Sequence, residues 1–279
     1  MSDLPRVRRT FVDGRFGQVH CRIAAPDAPS RLPLVCLHMS PKSGRSYEDI
    51  LPELARERIV IAPDYPGHGE SDKPPPDPHV SVADFADTAW QCVDALCPGR
   101  VHMLGYHTGS MVAVEAATAR PDAVASVVNI SAPLFTSEEL ESLKGFFEPI
   151  PIDEAGNRFR IMWERVLEYR GPGMTLEMAA DSFAENLRAG DDYEWGHRAA
   201  FAYGETYHER LAGLELPLFV MNPNDDCYEV SKRVDPLIRD GFRRDYDEWG
   251  HGFLTVHAAA AATDITEFIN QAETNDRLA

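Results

Sequence analysis

Val101-His102-Met103-Leu104-Gly105-Tyr106-His107-Thr108-Gly109-Ser110-Met111-Val112-Ala113-Val114-Glu115-Ala116-Ala117 reads as an apolar strand, a glycine-flanked turn and a helix, in that order. Gly105 and Gly109 stand two residues before and two after His107. In a sharp strand-to-helix elbow those two places must be small, because a Cβ there collides with the crossing backbone. The residue between them is pushed out above the sheet. Serine is the usual occupant of such a tip, and here it is histidine, with the backbone N–H of Thr108 where an oxyanion donor belongs. Ser110 does not fit as a displaced tip, since Thr108 and Val112 fill the positions that would have to be small. It falls in the first helical turn, where its hydroxyl can satisfy a free N–H.

Working outward, Arg8 to Val12 and Gly17 to Ala24 read as an antiparallel hairpin turned at Asp13-Gly14. Leu34 to Leu37 and Ile59 to Ala62 are short continuous apolar runs, as buried parallel strands are, separated by a helix-like stretch from Tyr47 to Arg56. A helix from Val82 to Leu96, a strand from Val101 to Leu104, a helix from Ser110 to Ala119 and a strand from Ala125 to Ile130 continue the alternation. Strands resume at Leu216 to Met221 and Arg244 to Tyr246, before a last helix from His257 to Gln271. Such alternation predicts an α/β fold with a doubly wound, mostly parallel sheet. Strand signals vanish between 134 and 213, which predicts a helical cap inserted into a core made of residues 1–133 and 214–279.

With 279 residues, the chain can bury a large core. Forty-five acidic against 27 basic side chains give a formal net charge of -18, which repels nucleic acid and anionic membranes. No segment reaches membrane-spanning length, and the N-terminus lacks the apolar stretch of a signal peptide, so a cytoplasmic location is expected. The five cysteines, at 21, 36, 92, 97 and 227, have no metal-type spacing and read as reduced, mostly buried thiols. Cys227 alone lies near a suspected site loop. His197 and His208 could share one helical face but lack a third ligand, so no metal site is expected. Gly67-His68-Gly69 is no dinucleotide fingerprint, and no cofactor is expected.

Four further motifs accompany the elbow: Leu37-His38-Met39-Ser40-Pro41, Asp64-Tyr65-Pro66-Gly67-His68-Gly69-Glu70-Ser71, Asn222-Pro223-Asn224-Asp225-Asp226 and Trp249-Gly250-His251-Gly252-Phe253. Singly each is weak; in this order along nearly the whole chain they resemble the α/β-hydrolase fold superfamily. The resemblance implies that His251 is the catalytic histidine and that Asp226, with Asp225 as the alternative, is its acid. It makes Ser40 and Thr108 the oxyanion donors and His68 a loop residue. Met39 departs from the glycine usual in the first motif, and His107 from the usual nucleophile.

The resemblance implies a hydrolase of a small ester, lactone or C–C bond next to a carbonyl, using His107, Asp226 and His251. His107 would attack an activated acyl group to give an acyl-imidazole, or act with His251 on water. The alternatives are lyase or isomerase proton transfer on the same scaffold and ligand binding without turnover. The partner is a small molecule, an aromatic or apolar carbonyl compound, with His38, Met39, Trp163 and Trp195 as candidate pocket residues. Tyr169, Tyr193, Phe201, Tyr203 and Tyr207 are further aromatic candidates, and self-association is left open.

Overall fold

A computed structural model describes residues 4–144, 148–190 and 193–276. Its strands are β1 (Arg8–Gly14), β2 (Gly17–Ala24), β3 (Leu34–Leu37), β4 (Val60–Pro63), β5 (Val101–Tyr106), β6 (Val124–Ile130), β7 (Leu218–Pro223) and β8 (Gly241–Tyr246). They form one sheet in the order β1-β2-β4-β3-β5-β6-β7-β8. β1 pairs antiparallel with β2, and β2 with β4, while every later pairing is parallel. β3 to β7 are buried along their whole length, which is why they read as unbroken apolar runs.

Two apolar layers cover the sheet. On one face α2 (Val82–Leu96) and α3 (Thr108–Ala119) enclose Phe85, Trp90, Met111 and Val114 with Val35, Met103 and Val127. On the other, α1 (Leu51–Leu54), α9 (Phe253–Val256) and α10 (Ala258–Asp276) enclose Leu51, Phe253, Ile265 and Ile269 with Cys36, Leu104 and Val128. Between β6 and β7 lie α4 (Ser137–Lys144), α5 (Asn157–Glu168), α6 (Leu176–Arg188) and α7 (Trp195–Ala212). The last of these returns to the sheet: Ala199, Ala200, Tyr207 and Leu211 join the first layer, and Tyr207 Oη accepts from Asn129 at 3.0 Å. α8 (Tyr228–Ser231) follows β7.

Several local expectations need correction. The hairpin turns at Arg15-Phe16, one pair later than Asp13-Gly14, because Asp13 and Gly14 still pair with Gln18 and Gly17. The stretch from Tyr47 to Arg56 is a 3₁₀ turn over Gly44–Tyr47 and the single-turn α1, with Pro52 at the second helical position. Strand β7 runs to Pro223, which carries the aspartates that follow to the carboxyl end of the sheet.

Candidate active site

The elbow forms between β5 and α3. A Cβ at Gly105 would stand 2.0 Å from the Gly109 carbonyl oxygen, and one at Gly109 would stand 1.9 Å from that of Leu37. His107 pays for this crossing with φ 48° and ψ −110°, a backbone conformation that costs a non-glycine residue about 1–3 kcal/mol. Its N–H donates to Ile130 O at 3.0 Å, fixing the tip to the next strand. Thr108 is the first residue of α3, so its N–H has no acceptor within the helix. Ser110 does not cap that helix: its hydroxyl donates to Gly105 O at 3.0 Å and Ile130 O at 3.1 Å, tying α3 back to the sheet.

At the tip, His107 Nε2 lies 2.9 Å from Asp225 Oδ2 and 3.7 Å from Asp226 Oδ1. His251 Nε2 lies 2.7 Å from that same Asp226 oxygen. The two imidazoles are 5.4 Å apart between ring centres. Each aspartate therefore has its own histidine, Asp225 with His107 and Asp226 with His251. The Asp225 side chain is fully buried and that of Asp226 43% exposed, so the carboxylate at the tip is sealed while the one beside His251 opens outward. Asp225 is further held by Ser131 Oγ–H at 2.8 Å, Tyr106 Oη–H at 3.3 Å and the Cys227 N–H at 2.9 Å. Ser131 reaches it from a left-handed turn, φ 58°, at the end of β6.

Among the described residues no lysine or arginine pairs with Asp225 or Asp226. Burial disfavours a charged His107, but Cys227 and the two carboxylates outweigh it and raise its pKa well above the usual histidine value. Asp225 and Asp226 are driven up by burial and held below the ordinary carboxylate range by the His107 charge. Burial pushes the Cys227 thiol up to about 11.

These groups face a cavity of about 430 Å³ roofed by α5, α6 and α7. Met39, Ser40, His107, Asp226 and His251 line it, with Tyr169 and Tyr193, apolar walls of Val166, Met174, Met178 and Leu254, and the cations Lys42 and Arg165. Lys42 Nζ–H donates to Ser182 O at 2.8 Å and Ser182 Oγ at 2.7 Å, and burial brings the ammonium down to about 7. His38, Trp163 and Trp195 do not line the cavity. His38 is fully buried, its Nε2 accepting from the Tyr65 N–H at 3.1 Å and its Nδ1 facing Met39 O at 3.0 Å. Trp163 stacks edge-on against Phe183 at 5.6 Å, and Trp195 lies against the first apolar layer and His79. Phe201, Tyr203 and Tyr207 are likewise absent from the lining, since α7 turns them toward the sheet layer and the surface.

Sequence reasoning overlooked Ser131 and Tyr106, which hold Asp225. Tyr106 lies inside the elbow motif, and Ser131 follows the strand beside it; no spacing in the chain announces that both reach one carboxylate.

A family model described as alpha/beta hydrolase fold matches residues 33–166. Among curated proteins, the proline iminopeptidase of Heyndrickxia coagulans is 32% identical over 130 residues, 45% of this chain and 44% of that protein. The (E)-2-((N-methylformamido)methylene)succinate hydrolase of Acinetobacter baylyi is 30% identical over 92 residues, 33% of this chain and 34% of that protein. The matched stretches thus span less than half the length of these relatives. Among solved structures, the meta-cleavage product hydrolase from Pseudomonas fluorescens superposes with a TM-score of 0.73 at 19% identity, covering 95% of this chain and 98% of that one. The fold is thus the α/β-hydrolase fold, and residues 33–166 match the model of that family.

Proposed function

We propose that the protein is a cofactor-independent hydrolase of a small ester, lactone or C–C bond next to a carbonyl, acting through His107, Asp226 and His251. The observation that carries this reading is the double pairing on the cavity floor, His251 with Asp226 and His107 with Asp225, beside the Thr108 N–H at the start of α3. Asp226 orients His251 to take a proton from water. His107 carries its proton at rest and is therefore a poor nucleophile. Its Nε2 is committed to Asp225, and the residue lines the cavity. His107 then serves as proton donor and positive charge for the oxygen that develops in the transition state, with the N–H groups of Ser40 and Thr108 beside it. The names of the relatives, two hydrolases and a peptidase, support bond cleavage by water. The insertion acts as the cap that closes the cavity, and the five unpaired cysteines fit a cytoplasmic location.

The test is turnover of a panel of aryl esters, lactones and β-diketones by wild type, His107→Ala, His107→Ser and His251→Ala. Wild type should cleave a panel member, with both alanine variants down roughly 100- to 10,000-fold. A silent wild type alongside an active His107→Ser would overturn hydrolysis as the natural reaction. A second reading, proton transfer next to a carbonyl, is favoured by the paired imidazoles without a hydroxyl or thiol at the tip. It predicts His251-dependent deuterium uptake at a carbonyl α-carbon without bond cleavage.

A further inference from the structure

Three consecutive residues after β7 converge on the His107 ring. One nitrogen of that ring, a carboxylate oxygen each from Asp225 and Asp226, and Cys227 Sγ all lie within 4.8 Å of one another. An imidazole N–H serves one acceptor well, and Asp225 at 2.9 Å is that acceptor. Asp226 Oδ1 stands further from that nitrogen, at 3.7 Å, and the Cys227 thiol completes the group. A cation at the centre would engage all four.

The set is mixed rather than merely acidic, with one imidazole, one thiol and two carboxylates. That combination suits a borderline divalent ion, Zn²⁺ above all, and not Mg²⁺ or Ca²⁺, which take oxygen. Asp225 is already oriented by Ser131, Tyr106 and the Cys227 N–H, as metal-binding carboxylates are by their outer hydrogen bonds. His251, bonded to Asp226 at 2.7 Å, supports the other carboxylate in the same way. His107 is itself held toward the group by its 2.9 Å bond to Asp225.

We propose that His107, Asp225, Asp226 and Cys227 form a binding site for a divalent cation of the Zn²⁺ type, taken up in exchange for the protons of the imidazole and the thiol. The inference shares its location with the proposed reaction but does not depend on hydrolysis. A cation there would displace the His107 proton, so the reaction proposed above belongs to the metal-free chain.

The experiment uses the full chain, freed of metal by chelator and dialysis, titrated with ZnCl₂ by calorimetry in two buffers of different ionisation enthalpy and with CoCl₂ by absorption. The expected result is one ion per chain, proton release on binding, and a thiolate-to-cobalt charge-transfer band. His107→Ala should weaken binding at least tenfold. Cys227→Ser, nearly isosteric and the safer variant for folding, should keep a weakened site and lose the charge-transfer band. Absence of binding to the wild-type chain, or binding and spectra unchanged in Cys227→Ser, would overturn the proposal. Turnover is not read, so an inert enzyme that binds zinc sinks the reaction alone, and an active one that ignores zinc sinks this site alone.

Discussion

Strand β5 carries one histidine near its amino end and is followed directly by another, and the two meet opposite fates. His102, at the amino end, is fully buried with Nδ1 2.7 Å from Ser126 Oγ and Nε2 3.1 Å from Glu273 Oε1. Serine, histidine and carboxylate stand in a row there, as in a hydrolytic triad, yet all three are buried and none lines the active-site cavity. His107, five residues on, has its carboxylates and also the cavity. The electrostatics differ as much as the access. Glu273 is shared with Arg58 at 3.0 Å and Arg31 at 3.5 Å, so its charge is spent elsewhere. Burial pushes His102 below the usual histidine value, with Glu273 pulling the other way and not prevailing. At the other end His107 itself is the cation beside Asp225 and Asp226, and its pKa is raised. What makes a histidine reactive is therefore the balance of countercharge and solvent, not the residue types around it.

The contrast can be broken hardest at Arg58. Arg58→Ala leaves the buried Glu273 carboxylate with His102 as its nearest partner, and removing one member of a buried pair costs about 3–5 kcal/mol. Chemical denaturation should show that loss, while the cavity end keeps its geometry; a cost below about 1 kcal/mol would mean that water already reaches the array.

The pH dependence of stability sharpens it next. His102 stays neutral in the folded chain, so as pH falls below about 6.5 the unfolded chain takes up a proton that the folded one refuses, and stability is lost on the acid side. His107 is raised, so its contribution is full below about 6.5 and is lost as pH climbs toward its folded value. Each slope approaches about 1.4 kcal/mol per pH unit. Unfolding in chelator from about pH 5 to 9 should show His102→Gln flattening the acid limb and His107→Gln the alkaline one. If both variants flatten the same limb, the two ends are electrostatically alike. Glu273 adds to the acid limb further down: burial raises it, but His102 and Arg58 hold it at about 2, so its stabilisation is present above the ordinary glutamate value and lost as pH falls toward 2.

The smallest effect is expected at Tyr106→Phe. Its hydroxyl makes two long contacts, 3.3 Å to Asp225 and 3.4 Å to His251, so about 1 kcal/mol or less should be lost. A larger loss would mean that this phenol, and not Ser131, sets the position of Asp225.

The sheet was legible because buried parallel strands leave continuous apolar runs, and the elbow because two glycines have a steric reason to flank its tip. Short elements were misread for equally local reasons. The stretch from Tyr47 to Arg56 has helical periodicity, but its length is split by a 3₁₀ turn and Pro52. Trp163 and Trp195 looked like pocket residues because large aromatics suit a pocket. Which way an amphipathic insertion helix faces depends on the layer it meets, and α7 meets the sheet layer.

By itself the sequence determined the strand-helix order, the tip residue and the succession of His107, the paired aspartates and His251, because backbone sterics and hydrophobic periodicity act over neighbouring residues. Only the tertiary structure decided that Asp225 serves His107 while Asp226 serves His251, that Ser131 and Tyr106 anchor the first of these, and that Cys227 joins them. Adjacent aspartates are indistinguishable along the chain. Their partners come from β5, β6 and the turn before α9, and side chains that far apart in sequence acquire one electrostatic environment only when the sheet brings its carboxyl ends together.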